Sequence, residues 1–510
     1  MTKEQFDKLD KCWYSFDIKD TCIETKVNAR TLLGAGRFDL YAILLYIDSK
    51  VRGLSDNEYH NFVYQARTDA ITNHQYCEIG KPHKINYDSY RDDLDKLIES
   101  HLLGTYDEQK TIIPIDKNGI LIDGAHRVAC AAYFNKDVTI LKFIEKEVSR
   151  VDYNSLAKRL LPIKASDAMA LEATKWHEDF FMLLFWPITN NNKPALEKSL
   201  NLVKDRVDVI YEKKQKLTFH AIRNLMLQLY GHMDWIGSID DKFKELNGKV
   251  ESVWANGGEC RFLLIQAKSL KDVLNLKDDI RNIFQCGQSS IHSTDTMWET
   301  RIAANAIFNS NSFHFLTYGQ PDKYKNTYEL FHKFKHLLIK NGKSLDEYII
   351  DSGMCLGIYG ARQSDDLDYL CEEPNILQKE ECNQDESLSF EYHGTFLRYY
   401  NLLLSDILYN PEHYFEFEEI KFVSLPLLNV FKQNRCCELK ETKDKYDTKL
   451  IDSLYGKSIL CNINLFKERT IWNLNRKIHV YKRSVITIRN TILKKIGLYD
   501  FLKALIRNKR

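Results

Sequence analysis

At 510 residues the chain has room for about three domains. Hydrophobic residues at 44% and charged residues at 28% exclude an intrinsically disordered protein, and Gly (21) with Pro (9) are too few for a flexible linker or a turn-rich β-sandwich. A net charge of +1 excludes attraction of the whole molecule to nucleic acid, though not a local contact. The expected class is a compact, helix-rich α+β protein.

The opening Met1–Gln5 is polar and lacks the apolar core of a secretory leader. The twelve Cys are scattered without a C-x-x-C pair, and no run of 18 apolar residues occurs. A cytoplasmic protein with reduced thiols is expected. In residues 1–150 the apolar spacing from Phe38 to Val51 and from Tyr87 to Leu103 is helical. Thr111–Asp116 and Val138–Phe143 read as strands, Lys117-Asn118-Gly119 as a turn, and the alanine-rich Val128–Phe134 as a helix.

Within this unit stands Asp123-Gly124-Ala125-His126-Arg127. A glycine-led turn with His and Arg at a helix start offers backbone donors and two side-chain donors to a phosphate. The motif and its strand–turn–strand–helix order resemble the D-G-x-H-R signature of the ParB/sulfiredoxin-like fold. The resemblance implies nucleotide binding at Asp123, Gly124, His126 and Arg127, with a kinase-like activity in some members. Glu78 and Lys84 lie upstream where such a domain keeps polar groups.

Residues 151–250 are expected to be a helical connecting region, with Trp176, Phe180, Phe181, Phe185 and Trp186 as core anchors. Residues 251–455 are expected to form the next domain. Arg261–Ala267 reads as a strand, Ser269–Phe284 as a helix capped by Ser269, and Tyr328–Asn341 as another helix. Gly287–Arg301 begins rich in hydroxyls and turns helical, with Asp295 or Thr296 as the cap. Free N–H groups at such a start form an anion site, so Ser289, Ser290 and His292 are candidate phosphate contacts. The acidic, Gln-rich stretch from Asn375 to Ser389 reads as an exposed insertion.

The densest chemistry is in Asp351–Leu370. Gly353, Gly357 and Gly360 permit close backbone approach to a phosphate, and Arg362 suits a phosphate oxygen. Asp366 and Asp368 are two apart in an alternating, strand-like run, so their carboxylates share a face and suit a hard cation such as Mg²⁺ or Mn²⁺. This segment resembles the G-x-x-L-G…R…D-D-x-D signature of LicD-like enzymes in the DNA polymerase β-like nucleotidyltransferase superfamily. The resemblance extends over about residues 250–455, through Tyr414–Leu425, Lys432–Arg435 and Lys443–Asp447. It implies Gly353, Gly357, Gly360 and Arg362 on the phosphates of an NTP (CTP or ATP), Asp366 and Asp368 as metal ligands, and a third carboxylate among Asp406, Glu416 and Glu418. It also implies transfer to a glycan or a small phosphorylated alcohol or sugar in cell-surface polysaccharide synthesis.

From Arg476 to the end, eleven cations face one acid, interleaved with apolar residues at helical spacing. Residues 456–510 are therefore expected to form basic amphipathic helices resting on an anionic membrane face, here the inner face of the plasma membrane. The competing readings are a nucleotide-responsive, ParB-like DNA-binding protein and a defence-type nucleotidyltransferase. The first lacks a helix-turn-helix and leaves Asp366 and Asp368 without a role.

Overall fold

The computed structural model describes residues 1–9, 15–76, 78, 81–108, 111–255, 257–373 and 390–455, and, intermittently, residues between 474 and 498. The expected insertion at 375–389 lies wholly outside the described residues, and the basic tail lies partly outside them. The architecture is mixed α+β, built on three sheets. Among the described residues no helix is long and apolar enough to cross a membrane.

The first sheet has the order β1–β3–β2, from β1 (Cys22–Asn28), β2 (Ile113–Ile115) and β3 (Asp137–Phe143). Helix Leu40–Val51 is buried on nearly every side because its run Leu-Tyr-Ala-Ile-Leu-Leu-Tyr-Ile packs against neighbours all round. Helix Ala125–Tyr133 follows the Asp123-Gly124 turn, as the alanine-rich pattern anticipates. Strand β1 and helix Glu58–Ile71 complete this region without a sequence signal of comparable strength.

The second sheet corrects the helical middle. Its order is β5–β6–β4–β7, all antiparallel, from β4 (Phe180–Phe185), β5 (Asp208–Leu217), β6 (Gly258–Gln266) and β7 (Ile291–Ser293). The expected boundary at 250 thus falls between strands of one sheet. Every residue of Phe-Phe-Met-Leu-Leu-Phe in β4 is buried, and a run apolar on both faces carries neither helical nor strand periodicity.

The third sheet, β10–β9–β8–β12–β11, is mixed. It contains β8 (Tyr348–Asp351), β9 (Leu367–Cys371), β10 (Phe390–Tyr392), β11 (Tyr414–Phe417) and β12 (Ile420–Val423). Helices Lys325–Lys340, Ser352–Ile358, Leu425–Leu439 and Thr442–Tyr455 surround it. One continuous apolar core runs from Ala29 to Ile451 and joins all three sheets.

Candidate functional site

Strands β8, β9 and β10 bring four acids and a histidine together. Asp351 ends β8 and lies opposite Asp368 of the antiparallel β9, while Glu391 of the parallel β10 lies beside Asp368 on its other edge. The chain then turns sharply: Ser352, the first residue of helix Ser352–Ile358, has φ +57°, a left-handed conformation that costs energy for a residue with a Cβ. Asp351 accepts the Ser352 N–H and the Tyr400 hydroxyl.

His393, just past β10, sits between two of these acids. Its Nδ1 lies 3.1 Å from Asp351 Oδ2 and its Nε2 lies 3.3 Å from Asp368 Oδ1. Burial disfavours the imidazolium, but Asp351, Asp368 and Glu391 outweigh it and raise the His393 pKa. Burial first, then Asp351, Asp366 and Glu391, pushes Asp368 up to about 6 against the pull of His393. The carboxylates repel one another except where His393 or a bound cation offsets their charge.

The donor set fits such a cation. One ligand atom each from Asp368, Glu391 and His393 lies within 4.8 Å of the others. Two carboxylates suit Mg²⁺, and the added imidazole also suits Mn²⁺. Asp366 precedes β9, accepts the Ser364 hydroxyl at 3.1 Å and contributes its charge to Asp368. Asp368 is thus a member of the cluster, whereas Asp366 lies just before β9 and is not among the converging ligand atoms.

The expected third carboxylates are elsewhere. Asp406 is buried in the first turn of helix Leu404–Tyr409 and accepts from the Leu403 N–H, the Ser55 hydroxyl and the Asp56 N–H. Glu416 lines a separate cavity of about 390 Å³ with Lys421. Glu418 accepts from Tyr328 at 2.9 Å and pairs with His332 at 3.2 Å. The acids that do lie beside Asp368 are Glu391 and Asp351. Sequence reasoning missed Glu391 and His393 because the three-residue β10 is too short to show a period; Asp351 was visible only as the edge of the glycine motif.

The residues of the expected phosphate loop are engaged within the protein. Arg362 does not stand free: its Nε and Nη2 bind Asp447 Oδ1 and Oδ2 at 2.7 and 3.1 Å. Lys432 lies 3.2 Å from Asp444 and 3.1 Å from Asp447, and Arg435 makes a two-pronged pair with Asp444. The glycines serve packing. A Cβ at Gly353 would lie 2.9 Å from both Arg362 Nη2 and Ser364 Oγ, and one at Gly357 would lie 2.7 Å from Thr327 Cγ2. Gly360 turns the chain beside Gln320.

Of the hydroxyl-rich loop, Ser289 bonds Ser252 and the buried Ser290 bonds the Gly287 carbonyl at 3.2 Å. Of the three candidate phosphate contacts, His292 lines a pocket, held by Tyr230 at 2.9 Å and Glu299 at 3.0 Å. Thr296 caps the following helix, Met297–Phe308.

In the N-terminal region Asp123, Gly124, His126 and Arg127 line one pocket of about 670 Å³, together with Glu78 and Lys84. Gly124 caps helix Ala125–Tyr133 at φ +92°, and a Cβ there would lie 2.9 Å from Ile113 Cδ1, so glycine is required. Arg37, Arg67, Lys81, Arg150 and Arg159 add cations to the walls. Arg37 and Arg67 share the buried Asp39, whose pKa they lower despite its burial, and Arg67 keeps a buried Nε with no hydrogen-bond partner. Burial, then Arg67 and Lys84, holds the pKa of His126 far below its ordinary value, so its ring is neutral and bonds Tyr64 at 2.9 Å.

Comparison of the chain with protein-family models, with curated proteins and with solved structures found no match in any of the three.

Proposed function

We propose that the chain is a metal-dependent nucleotidyl- or phosphotransferase whose cation is held by Asp368, Glu391 and His393, with Asp366 beside them. The convergence of those ligand atoms within 4.8 Å, at the ends of neighbouring strands, carries the reading. A bound Mg²⁺ or Mn²⁺ supplies neutralisation of the charge on a transferring phosphate. Asp351 acts through His393, orienting the ring from its Nδ1 side. An NTP donor (CTP or ATP) and a glycan or phosphorylated small-molecule acceptor follow from the LicD-like resemblance of Gly353–Asp368.

A second binding function is favoured by the N-terminal pocket. Its seven Arg and Lys residues, the helix start at Gly124 and the unmatched Arg67 Nε suit a phosphate-bearing ligand such as a nucleotide. The described part of the tail supports a peripheral membrane contact. Ile478, Tyr481, Val485, Ile488, Ile492 and Ile496 recur at steps of three and four and are all exposed, among Lys477, Lys482, Arg489, Lys494 and Lys495.

The decisive assay incubates the full chain with each NTP and Mg²⁺ or Mn²⁺ and follows pyrophosphate or phosphate release with candidate acceptors. Asp368→Asn and Glu391→Gln are expected to lower turnover at least 100-fold. Turnover equal to wild type in both variants removes the cluster from the chemistry.

A further inference from the structure

A third cavity, of about 750 Å³, lies where helices Glu245–Trp254 and Leu270–Phe284 meet the start of helix Met297–Phe308. One wall is cationic. Lys277 and Arg281 stand four residues apart on one helix face, and Lys249 joins them from the neighbouring helix. Like charges at this spacing repel, so sequence alone gives no reason to keep them.

The acids nearby do little to answer these charges. Glu299 is engaged by His292 at 3.0 Å and by the Asp295 N–H at 2.8 Å. Asp295 stays 3.9 Å from Lys277, and the acid that Arg281 reaches among the described residues is the exposed Asp278, at 3.6 Å. Lys249 bonds a neutral carbonyl, that of Gln288, at 3.1 Å, and Arg281 keeps a buried Nε without a hydrogen-bond partner among the described residues. Burial, and then the Arg281 guanidinium, lowers the Lys249 pKa; Lys277 is lowered too, chiefly by burial.

The other wall is aromatic. Tyr230 packs on Trp235 at 5.6 Å, and His232 stands edge-on to Trp298 at 5.5 Å. Trp235 remains 46% exposed, which leaves ring surface to cover. We propose that this cavity binds a phosphorylated ligand with a flat ring, a nucleoside phosphate: Lys249, Lys277 and Arg281 hold the phosphate and Trp235 packs on the ring. The site uses neither the metal cluster nor the hydroxyls of Ser289 and Ser290.

The test titrates the full chain with ADP in EDTA, in parallel with inorganic pyrophosphate, by calorimetry. EDTA silences metal-dependent binding at Asp368, so failure here is separable from failure of the transferase reading. An Arg127→Gln background lowers the contribution of the N-terminal pocket, and what remains of it is common to every variant compared. Lys277→Gln/Arg281→Gln is expected to weaken both probes at least tenfold, and Trp235→Ala to weaken ADP while sparing pyrophosphate. The double variant should melt no lower than wild type, because it relieves repulsion. Lys249→Gln, read the same way, provides an independent check if the double variant does not fold. Absence of ADP binding to the parent chain, or unchanged binding in the cation variants, overturns the proposal.

Discussion

Arg362 and Asp447, 85 residues apart, close on each other through two parallel hydrogen bonds that tie the glycine motif to helix Thr442–Tyr455. Asp447 is fully buried and also answers Lys432. Removing it strands Arg362 and leaves Lys432 and Arg435 to share Asp444, so Asp447→Asn is expected to cost about 3–5 kcal/mol of stability. Arg362→Lys keeps the charge but loses the fork and should also destabilise. Urea unfolding checks both; a variant of normal stability would free Arg362 for a role on substrate.

Thr327 limits what can stand at position 357. Its methyl group occupies the space of a Gly357 Cβ, while its hydroxyl bonds the Ser364 carbonyl at 3.1 Å and accepts the Ser364 N–H at 3.0 Å. Gly357→Ala is expected to destabilise by about 1–3 kcal/mol through overpacking. Adding Thr327→Ser, which deletes the methyl and keeps the hydroxyl, should recover much of that loss. Thermal melts of the single and double variants settle the point; an unrescued double variant places the clash elsewhere.

The acidic cluster sets a pH dependence. Folding raises Asp368 to about 6, whereas an unfolded aspartate titrates near 3.9. A carboxyl raised on folding contributes stability that is complete below the unfolded value and is lost as pH climbs through the folded one. The gap of about two units amounts to about 3 kcal/mol. His393, also raised, has the same sign: its contribution is present below its unfolded pKa and lost as pH rises through the folded value. In EDTA, stability should therefore decline from about pH 4 toward neutrality, and Asp368→Asn should flatten that decline. Protons and cation compete for the same atoms, so Mn²⁺ affinity should fall below about pH 6. Urea titrations and Mn²⁺ paramagnetic resonance across pH measure the two trends.

How far the sequence carried differs from element to element, for physical reasons. Helix Leu40–Val51 was legible because its apolar density is local, and Asp368 because it stands in an alternating run, whereas Asp366 falls just before the strand that the spacing argument needs. Strand β4 was not, since burial on both faces erases the period that distinguishes strand from helix. The partner of Arg362 was invisible because only the tertiary fold brings Asp447 to it. Glu391 and His393 had no period to betray them, and their pairing with Asp368 and Asp351 exists only once β10 joins the sheet.

The exposed apolar stripe of the tail gives the last prediction. Ile488, Ile492 and Ile496 succeed one another at one-turn spacing, each more than half exposed, and water leaves such a row uncompensated. A bilayer surface can take up the apolar row while anionic headgroups attract the flanking Lys and Arg, at about 1 kcal/mol for each cation near the surface. Deleting residues 476–510 should abolish cosedimentation with phosphatidylserine-containing vesicles. Ile488→Ser/Ile492→Ser, which keeps every charge, should weaken it in proportion to the apolar area removed. If the serine variant binds as well as the parent and only high salt releases it, the contact is purely electrostatic and the stripe has another partner.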